Sequence, residues 1–413
     1  MLTAAVLIIG VSFFVWTRLS SGKSVDLSHI KANAIELKEN ETIPEEATAT
    51  PGKGEVIQPA ALSVETEKPA VYTKRSFILT AGGTVALDGE VRKNSYYSDA
   101  KQYDYFDTMS LLKKEMQSDL NIVFLENLLS EDGRSSDLIA TNAAAAMLKG
   151  AGFNLAACGF ARAYEKEQAG IQSTRKLLNE YGIASVGIYE SQEEDHYRIL
   201  DINGIRTAIL QYTGTISNAN RKSMVKNNTS DLVPDAQEET IAADISEVRA
   251  KGCEVVVVLL NWGKNGKAPD KTMRALAQKT ADAGADLIIG NGSRIVSGAE
   301  LLKTSNSEKQ VLCVWSLGTV LSGDRGNIKK MSGILLQVTV TIEGNSTEIS
   351  NFSYIPLYTW KYKQDSRYYY RCLAADEVVP DGMDTEQQKM MKKASDTIRN
   401  AMKDSPVEER VID

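Results

Sequence analysis

VVVVLLNWG, residues 255–263, is the stretch that decides the fold of this 413-residue chain. Its first six residues are valine or leucine, and a run without polar residues is typical of a strand that is buried on both faces. Comparable apolar runs recur between residues 77 and 342, and segments with helical periodicity separate them. The pattern predicts an α/β domain in which layered sheets are covered by helices.

The apolar runs predict strands, and the periodic segments between and after them predict helices. The predicted strands are residues 77–82, 121–125, 154–158, 184–187, 198–202, 205–211, 254–260, 286–290, 311–316 and 333–342. The predicted helices are residues 107–117, 138–150, 168–181, 236–250, 271–283 and 385–403. Ligand sites in such folds lie at the carboxyl ends of parallel strands, so candidate functional residues are sought there.

The composition is that of a globular protein, with 43% hydrophobic and 24% charged residues. The net charge of −7 and the pI of about 5.3 provide no overall basic field, so we expect no nucleic-acid binding. We also expect no basic segment with interleaved aromatic residues. The four cysteines show no CxxC spacing and are interpreted as small core residues.

The N-terminal part of the chain differs in composition from the rest. Residues 2–16 form an apolar run followed by Arg18 and Lys23, with no small-residue cleavage site, which favours an uncleaved membrane anchor over residues 1–23. Residues 24–71 are rich in Glu, Thr, Ala and Pro and predict a disordered linker. The two basic residues after the run argue for a cytoplasmic location of the residues that follow.

The remaining organisation is predicted as a domain over residues 72–376 and an acidic linker with a C-terminal helix over residues 377–413. We expect this helix to dock on the surface of its own domain rather than to bind a partner. Only two histidines occur, His29 and His196. Neither lies at the end of a predicted strand, and His196 is expected in an exposed loop.

Three blocks in order along the chain carry a family resemblance. They are GFNLAACGFARAY (152–164) followed by YGIASVG (181–187), NWG (261–263) followed by DAGADLIIGNGSRI (282–295), and VWSLGT (314–319). With these blocks the chain resembles the CapA family of bacterial capsule and poly-γ-glutamate synthesis proteins, which are relatives of the calcineurin-like metallophosphoesterases. The resemblance covers roughly residues 77–358 and implies a metallophosphoesterase-like sheet arrangement.

The chain departs from the family at the positions of the metal ligands. The family's Gly-Asp, Asn-Asn-His, His-Trp-Gly, Gly-His-His-Pro-His and final Asn correspond here to Gly82-Gly83, Phe160-Ala161-Arg162, Asn261-Trp262-Gly263, Gly290-Asn291-Gly292-Ser293-Arg294 and Thr319, and Asn265 replaces a frequent glutamate. Two-metal sites need carboxylate and imidazole ligands, and a guanidinium repels a dication. We therefore expect no metal and no other cofactor, and we lean towards a protein that is not an enzyme.

The replaced positions suggest an anion-binding site instead. Arg162 and Arg294 carry fixed positive charge that suits phosphate or carboxylate, and Asn261, Asn291 and Trp262 are further candidate ligand-binding residues. The expected ligand is an anionic cell-envelope polymer, bound but not cut. The alternative for the two arginines is that they pair with nearby acids, such as Glu126 or Glu300, and only fill the former metal site.

Two other functions stay open at the level of the sequence. The first is an active enzyme of the family whose metal site is rebuilt from Glu126, Asp88, Asp324 and the asparagines. The second is a scaffold that binds membrane proteins of a polymer synthesis complex and leaves the cleft unused. For each of these functions, the resemblance implies a domain outside the cytoplasm that the N-terminal anchor holds at the cell membrane.

Overall fold

The strands and helices follow the alternation of apolar runs and periodic segments along the sequence. A computed structural model describes residues 73–131, 138–305, 308–375 and 379–410. The predicted anchor and linker over residues 1–71 lie outside the described residues. In the part of the chain that the structure describes, no helix is both long and apolar enough to cross a membrane.

The bounds of the strands and helices are as follows. The strands are β1 (Arg75–Val85), β2 (Tyr96–Tyr97), β3 (Gln102–Tyr103), β4 (Leu120–Leu125), β5 (Leu128–Leu129), β6 (Ile139–Ala140), β7 (Leu155–Ala157), β8 (Ala184–Val186), β9 (Tyr197–Ile202), β10 (Ile205–Thr213), β11 (Val255–Asn261), β12 (Leu287–Asn291), β13 (Ala299–Lys303), β14 (Gln310–Val314), β15 (Thr319–Leu321), β16 (Ser332–Glu343), β17 (Ser346–Gln364), β18 (Arg367–Ala374) and β19 (Glu408–Glu409). The α-helices are α1 (Gly89–Asn94), α2 (Ala143–Ala151), α3 (Glu167–Glu180), α4 (Asn218–Lys226), α5 (Glu238–Ala250), α6 (Lys271–Asp282) and α7 (Thr385–Met402). Three 3₁₀ helices span Phe106–Thr108, Ser110–Glu115 and Ile328–Met331.

Two mixed sheets contain most of the strands. The first has the order β18-β17-β16-β1-β4-β7-β8, with β15 paired to β1 and β19 to β17. The second has the order β13-β14-β12-β11-β10-β9. Each sheet contains one run of adjacent parallel strands. In the first sheet the run is β1, β4, β7 and β8, on the β8 side, and in the second it is the central group β10, β11, β12 and β14.

The opening valine run shows how the two sheets pack. Val257 and Leu259 of β11 join a core cluster with Leu79 and Phe124 of the first sheet, so the inner faces of the two sheets pack against each other. Val258, on the opposite face of β11, packs in a cluster that includes residues of α5 and α6. The outer face of the first sheet is covered by residues of α2 and α3. The predicted layered α/β fold, with sheets covered by helices, is confirmed.

The C-terminal helix α7 packs on the same body, as predicted. It begins with a capping box between Asp384 and Gln387. Ile398 and Met402 join the core between the sheets, and Met391 packs near the β17–β18 hairpin. The helix therefore covers its own domain with its apolar face.

Several expectations about local structure were wrong. The predicted helix at residues 107–117 is two short 3₁₀ helices, because an apolar spacing of three, as between Met109 and Leu112, also fits a 3₁₀ turn. The strand β17 was missed because Pro356 interrupts its apolar stretch, and β18 was missed because its Tyr- and Arg-rich segment has no aliphatic run. His196 lies in a loop, but its side chain is only 18% exposed, because it packs against Tyr189.

Candidate functional site

A cavity of about 450 Å³ lies where parallel strands of both sheets end. Its lining comes from the residues that follow β1, β4, β7, β10, β11 and β12. The charged side chains in this lining are Asp88, Glu126, Arg162, Lys264 and Arg294. The position agrees with the rule that ligand sites of such sheets lie beyond the carboxyl ends of the strands.

The structure brings three of the five predicted ligand-binding residues to this cavity. Arg162, Arg294 and Asn261 line it. Asn291 is fully buried beside the cavity, where it pairs with Asn261 between β12 and β11. Trp262 points into the core, where its ring stacks on Trp315 at 5.7 Å and its Nε1 donates to the Trp315 carbonyl at 3.2 Å.

Arg294 is paired with Glu126. Its Nε donates to Glu126 Oε2 at 3.0 Å, and the two side chains are only 26% and 10% exposed. Burial lowers the pKa of the Arg294 guanidinium, but Glu126, with Asp88 and Asp324, outweighs this and raises the pKa above its ordinary value. The alternative considered for this arginine, a pair with a nearby acid, is thus what the structure contains.

Arg162 has a more exposed partner. Its Nη2 donates to Glu165 Oε1 at 2.6 Å within one turn of the chain, and its side chain is 43% exposed. Glu300, the other acid considered as a partner, pairs with Arg274 instead, at 2.7 Å. A surface ion pair of the Arg162 type contributes only about 0–1 kcal/mol, so a ligand can displace it.

A chain of hydrogen bonds fills the interior beside the Arg294–Glu126 pair. Thr84 Oγ1 donates to Glu126 Oε1 at 3.1 Å. The side-chain amide of Asn291 lies 2.8 Å from the same Thr84 Oγ1, through its nitrogen or, if the amide is turned over, through its oxygen. Ser293 Oγ donates to Ser316 Oγ at 2.9 Å. Thr84, Asn291, Ser293 and Ser316 are all buried. Neutral hydrogen-bonding groups thus satisfy one another where the family resemblance implies metal ligands.

The donor set does not fit the metal that the resemblance implies. A Cβ atom on Gly83 would lie 2.2 Å from the Gly318 carbonyl oxygen, so the family's aspartate has no room there. Among the described residues, no group of three or more His, Cys, Asp or Glu side chains is arranged to hold a metal ion. Asp324, considered for a rebuilt site, is held by Lys330 at 3.0 Å.

Lys264 is a cavity residue that the sequence analysis missed. It follows Gly263 directly, its side chain is 74% exposed, and its Nζ lies 3.4 Å from Asp270. The signal that could have found it is its position in the loop after β11, beside Asn265, which also lines the cavity. With Arg162 it gives the cavity two cations with exposed, exchangeable partners.

Comparison with known proteins identifies the family. The family model described as "Bacterial capsule synthesis protein PGA_cap" matches residues 78–324, which is more than half of the chain. The chain belongs to this PGA_cap family. The predicted relationship to the capsule synthesis proteins is thus confirmed.

A curated relative of this PGA_cap chain is the PGA biosynthesis protein CapA of Bacillus subtilis (strain 168), which is 28% identical over 138 residues. That match covers 32% of this chain and 35% of the relative, so about a third of each protein is compared.

Two solved structures are similar in outline. A novel phosphatase from Mycoplasma pneumoniae is 14% identical, with a TM-score of 0.40 over 69% of this chain and 94% of its own. A putative 5'-nucleotidase from Staphylococcus aureus, in complex with α-ketoglutarate, is 11% identical, with a TM-score of 0.40 over 78% and 58%. Structural similarity at this level does not indicate the activity of this PGA_cap protein.

Proposed function

We propose that this PGA_cap protein binds an anionic polymer of the cell envelope, of the poly-γ-glutamate type, in the cavity and does not hydrolyse it. The observation that carries the proposal is the cavity at the strand ends, which presents Arg162 and Lys264 to solvent. Because the ion pairs of these two cations with surface acids are weak, the carboxylates of a polymer can replace those acids at little cost in free energy. The family description, a bacterial capsule synthesis protein, and the name of the Bacillus subtilis relative, a PGA biosynthesis protein, support a role in capsule polymer synthesis.

The interior of the site supports a binding role over a hydrolytic one. The buried bonds of Thr84, Asn291 and Glu126 take up donor atoms that a metal would need, and Arg294 keeps a positive charge beside them. Metal-assisted hydrolysis requires a cation that activates water between such ligands. The site instead combines fixed cations with the amides of Asn261 and Asn265, which suit carboxylate and peptide-like groups.

Within this proposal, the predicted anchor at residues 1–23 holds the domain at the cell membrane, outside the cytoplasm. Membrane proteins of the polymer synthesis complex are then its neighbours. The linker at residues 24–71 gives the domain reach along the membrane. A reporter that folds only in the cytoplasm, fused to the C-terminus, tests the topology. Activity of this reporter would contradict the cell-surface role.

Binding of purified poly-γ-glutamate to the full chain tests the proposal. We expect the double variant Arg162→Gln/Lys264→Gln to bind about tenfold more weakly, which corresponds to about 1.4 kcal/mol. Raising the salt concentration should weaken binding by the wild-type chain and erase most of this difference. Unchanged affinity in the double variant would contradict the proposal.

Arg221 provides a matched control outside the cavity. It is 42% exposed and paired with Asp235, much as Arg162 is 43% exposed and paired with Glu165. Arg221→Gln should leave the affinity for the polymer unchanged. An equal loss in Arg221→Gln would indicate a diffuse electrostatic effect rather than a site.

A further inference from the structure

A second surface surrounds the β17–β18 hairpin. It consists of residues 96–114 and 360–371, here named the hairpin surface. These segments hold eight of the sixteen tyrosines, seven Lys or Arg residues and four Asp residues. Their net charge is therefore +3 in a chain whose net charge is −7. The expectation of no basic segment with interleaved aromatic residues was wrong here.

The two segments are held together by specific contacts. Arg367 Nη2 donates to the Tyr96 carbonyl at 2.8 Å, and its guanidinium lies 4.3 Å from the centre of the Tyr97 ring. Arg371 lies 3.8 Å from Asp107. The hairpin and residues 96–107 therefore present one continuous face.

This face concentrates the exposed apolar side chains of the protein. Nine large hydrophobic side chains are exposed among residues 73–410 as described, and five of them lie here. The five are Tyr96, Tyr97, Phe106, Leu111 and Tyr368. A cluster of exposed apolar groups on a charged surface marks a contact site, whereas apolar groups scattered singly need no explanation.

The geometry of the rings favours one kind of contact. Lys361 Nζ lies 4.3 Å from the centre of the Tyr368 ring, and a guanidinium occupies the same position over Tyr97. Because cations already cover these ring faces, the rings offer little room for stacking with nucleic-acid bases. Amphipathic tyrosines beside lysine and arginine are typical of the interface between membrane and water.

The hairpin ends in a tight two-residue turn. Asp365 and Ser366 have φ angles of 48° and 69°, and Gln364 pairs with Arg367 across them. This is the geometry of a two-residue turn that matches the twist of the strands. The tip can enter a headgroup layer without a change of fold.

We propose that the hairpin surface docks on a membrane that is rich in anionic lipid headgroups. Lysine and arginine side chains interact with the phosphates, and the exposed aromatic rings enter the boundary between headgroups and acyl chains. The contact orients the folded domain against the bilayer and does not depend on how the N-terminal residues are attached.

A fluorescent label at the hairpin tip of the full chain tests this inference. All four native cysteines are buried, so Gln364→Cys offers an exposed thiol for an environment-sensitive dye. The labelled chain is reconstituted in phosphatidylcholine vesicles with or without phosphatidylglycerol. We expect the emission to shift to shorter wavelength, and brominated lipids to quench it, only when phosphatidylglycerol is present.

Two controls restrict the result to this face. Asn345→Cys places the same label in the turn at the opposite end of β17, where no shift is expected. Lys361→Gln/Lys363→Gln should lower the ratio of docked to undocked hairpin roughly tenfold or more, because each basic residue near an anionic surface contributes about a fivefold factor. Lys389→Gln/Lys392→Gln on α7 removes the same charge and should have no effect.

Three outcomes would overturn the inference. The first is identical emission at position 364 with and without phosphatidylglycerol. The second is an equal shift at position 345, which would indicate association without orientation. The third is a shift at position 364 that a single-stranded oligonucleotide produces and phosphatidylglycerol does not, which would assign the surface to nucleic acid.

Discussion

Arg294 Nε lies 3.0 Å from Glu126 Oε2, and this contact joins residues that follow β12 and β4, which belong to different sheets. Both side chains are largely buried, and the backbone of Arg294 has a left-handed φ of 59°. The pair closes one side of the cavity. It therefore contributes to the shape of the site, whereas the other two cations of the lining, Arg162 and Lys264, are more exposed.

We expect Arg294→Ala to lower the free energy of unfolding by about 2 kcal/mol, because it leaves the Glu126 carboxylate buried without its partner. The double variant Glu126→Ala/Arg294→Ala should lose less than the sum of the two single variants. Urea denaturation measures all three. Arg162→Ala, which removes an exposed pair, should change the value by less than about 1 kcal/mol. Additive losses at residues 126 and 294 would show that the pair is not coupled.

Gly83 explains why the family's aspartate cannot simply be restored. A Cβ atom there would lie 2.2 Å from the Gly318 carbonyl oxygen, which accepts a hydrogen bond from Thr84 N at 2.9 Å. We expect Gly83→Ala to destabilise the fold by about 3 kcal/mol or more through this backbone clash. Gly89→Ala is the control, because no atom lies within 4 Å of a Cβ atom at Gly89. Equal thermal stability of the two variants would refute the explanation.

Gln211 connects the two sheets through a buried amide. Its Oε1 accepts from Gly159 N at 3.0 Å, and its Nε2 donates to Gly159 O at 2.9 Å. Gln211→Leu should cost about 2–3 kcal/mol, since both backbone groups of Gly159 lose their partner. Gln278→Leu, at a part-buried position on α6, should cost clearly less. Chemical denaturation of both variants decides whether the buried position matters.

The sequence was sufficient for the layers of the fold and insufficient for the contacts within the site. The run at residues 255–260 predicted a strand with two buried faces, and β11 has them, because period-two alternation puts successive residues on opposite faces. The β17–β18 hairpin gave no such signal. It is stabilised by cross-strand aromatic pairs such as Tyr362 with Tyr369, at 5.3 Å, and pairing of this kind cannot be derived from hydrophobic periodicity.

In the site, the sequence predicted which strand ends meet but not which partners the side chains choose. Glu126 and Arg294 are 168 residues apart, and the choice between Glu126 and Glu300 depends on sheet geometry. Likewise, Gly83 could be seen as a missing carboxylate. The reason for the glycine appears only where the chain at Gly318 passes beside it.

Asp244 and Asp195 should respond to pH in opposite directions. Burial raises the pKa of Asp244 above its ordinary 3.8, although a hydrogen bond from Tyr212 and the nearby His196 lower it. Its contribution to stability is therefore fully present below about pH 3.8 and is lost as the pH rises through the folded pKa. A hydrogen bond from Lys251 lowers the pKa of Asp195, so its contribution is present above pH 3.8 and is lost as the pH falls through the folded pKa.

We expect Asp244→Asn, which still accepts from Tyr212, to be more stable than the wild-type chain at pH 7, with the difference shrinking towards pH 4. Asp195→Asn should be slightly less stable at pH 7, and its deficit should also shrink in acid. Denaturation curves at both pH values measure the two differences, and a deficit for Asp244→Asn at pH 7 would contradict the assignment.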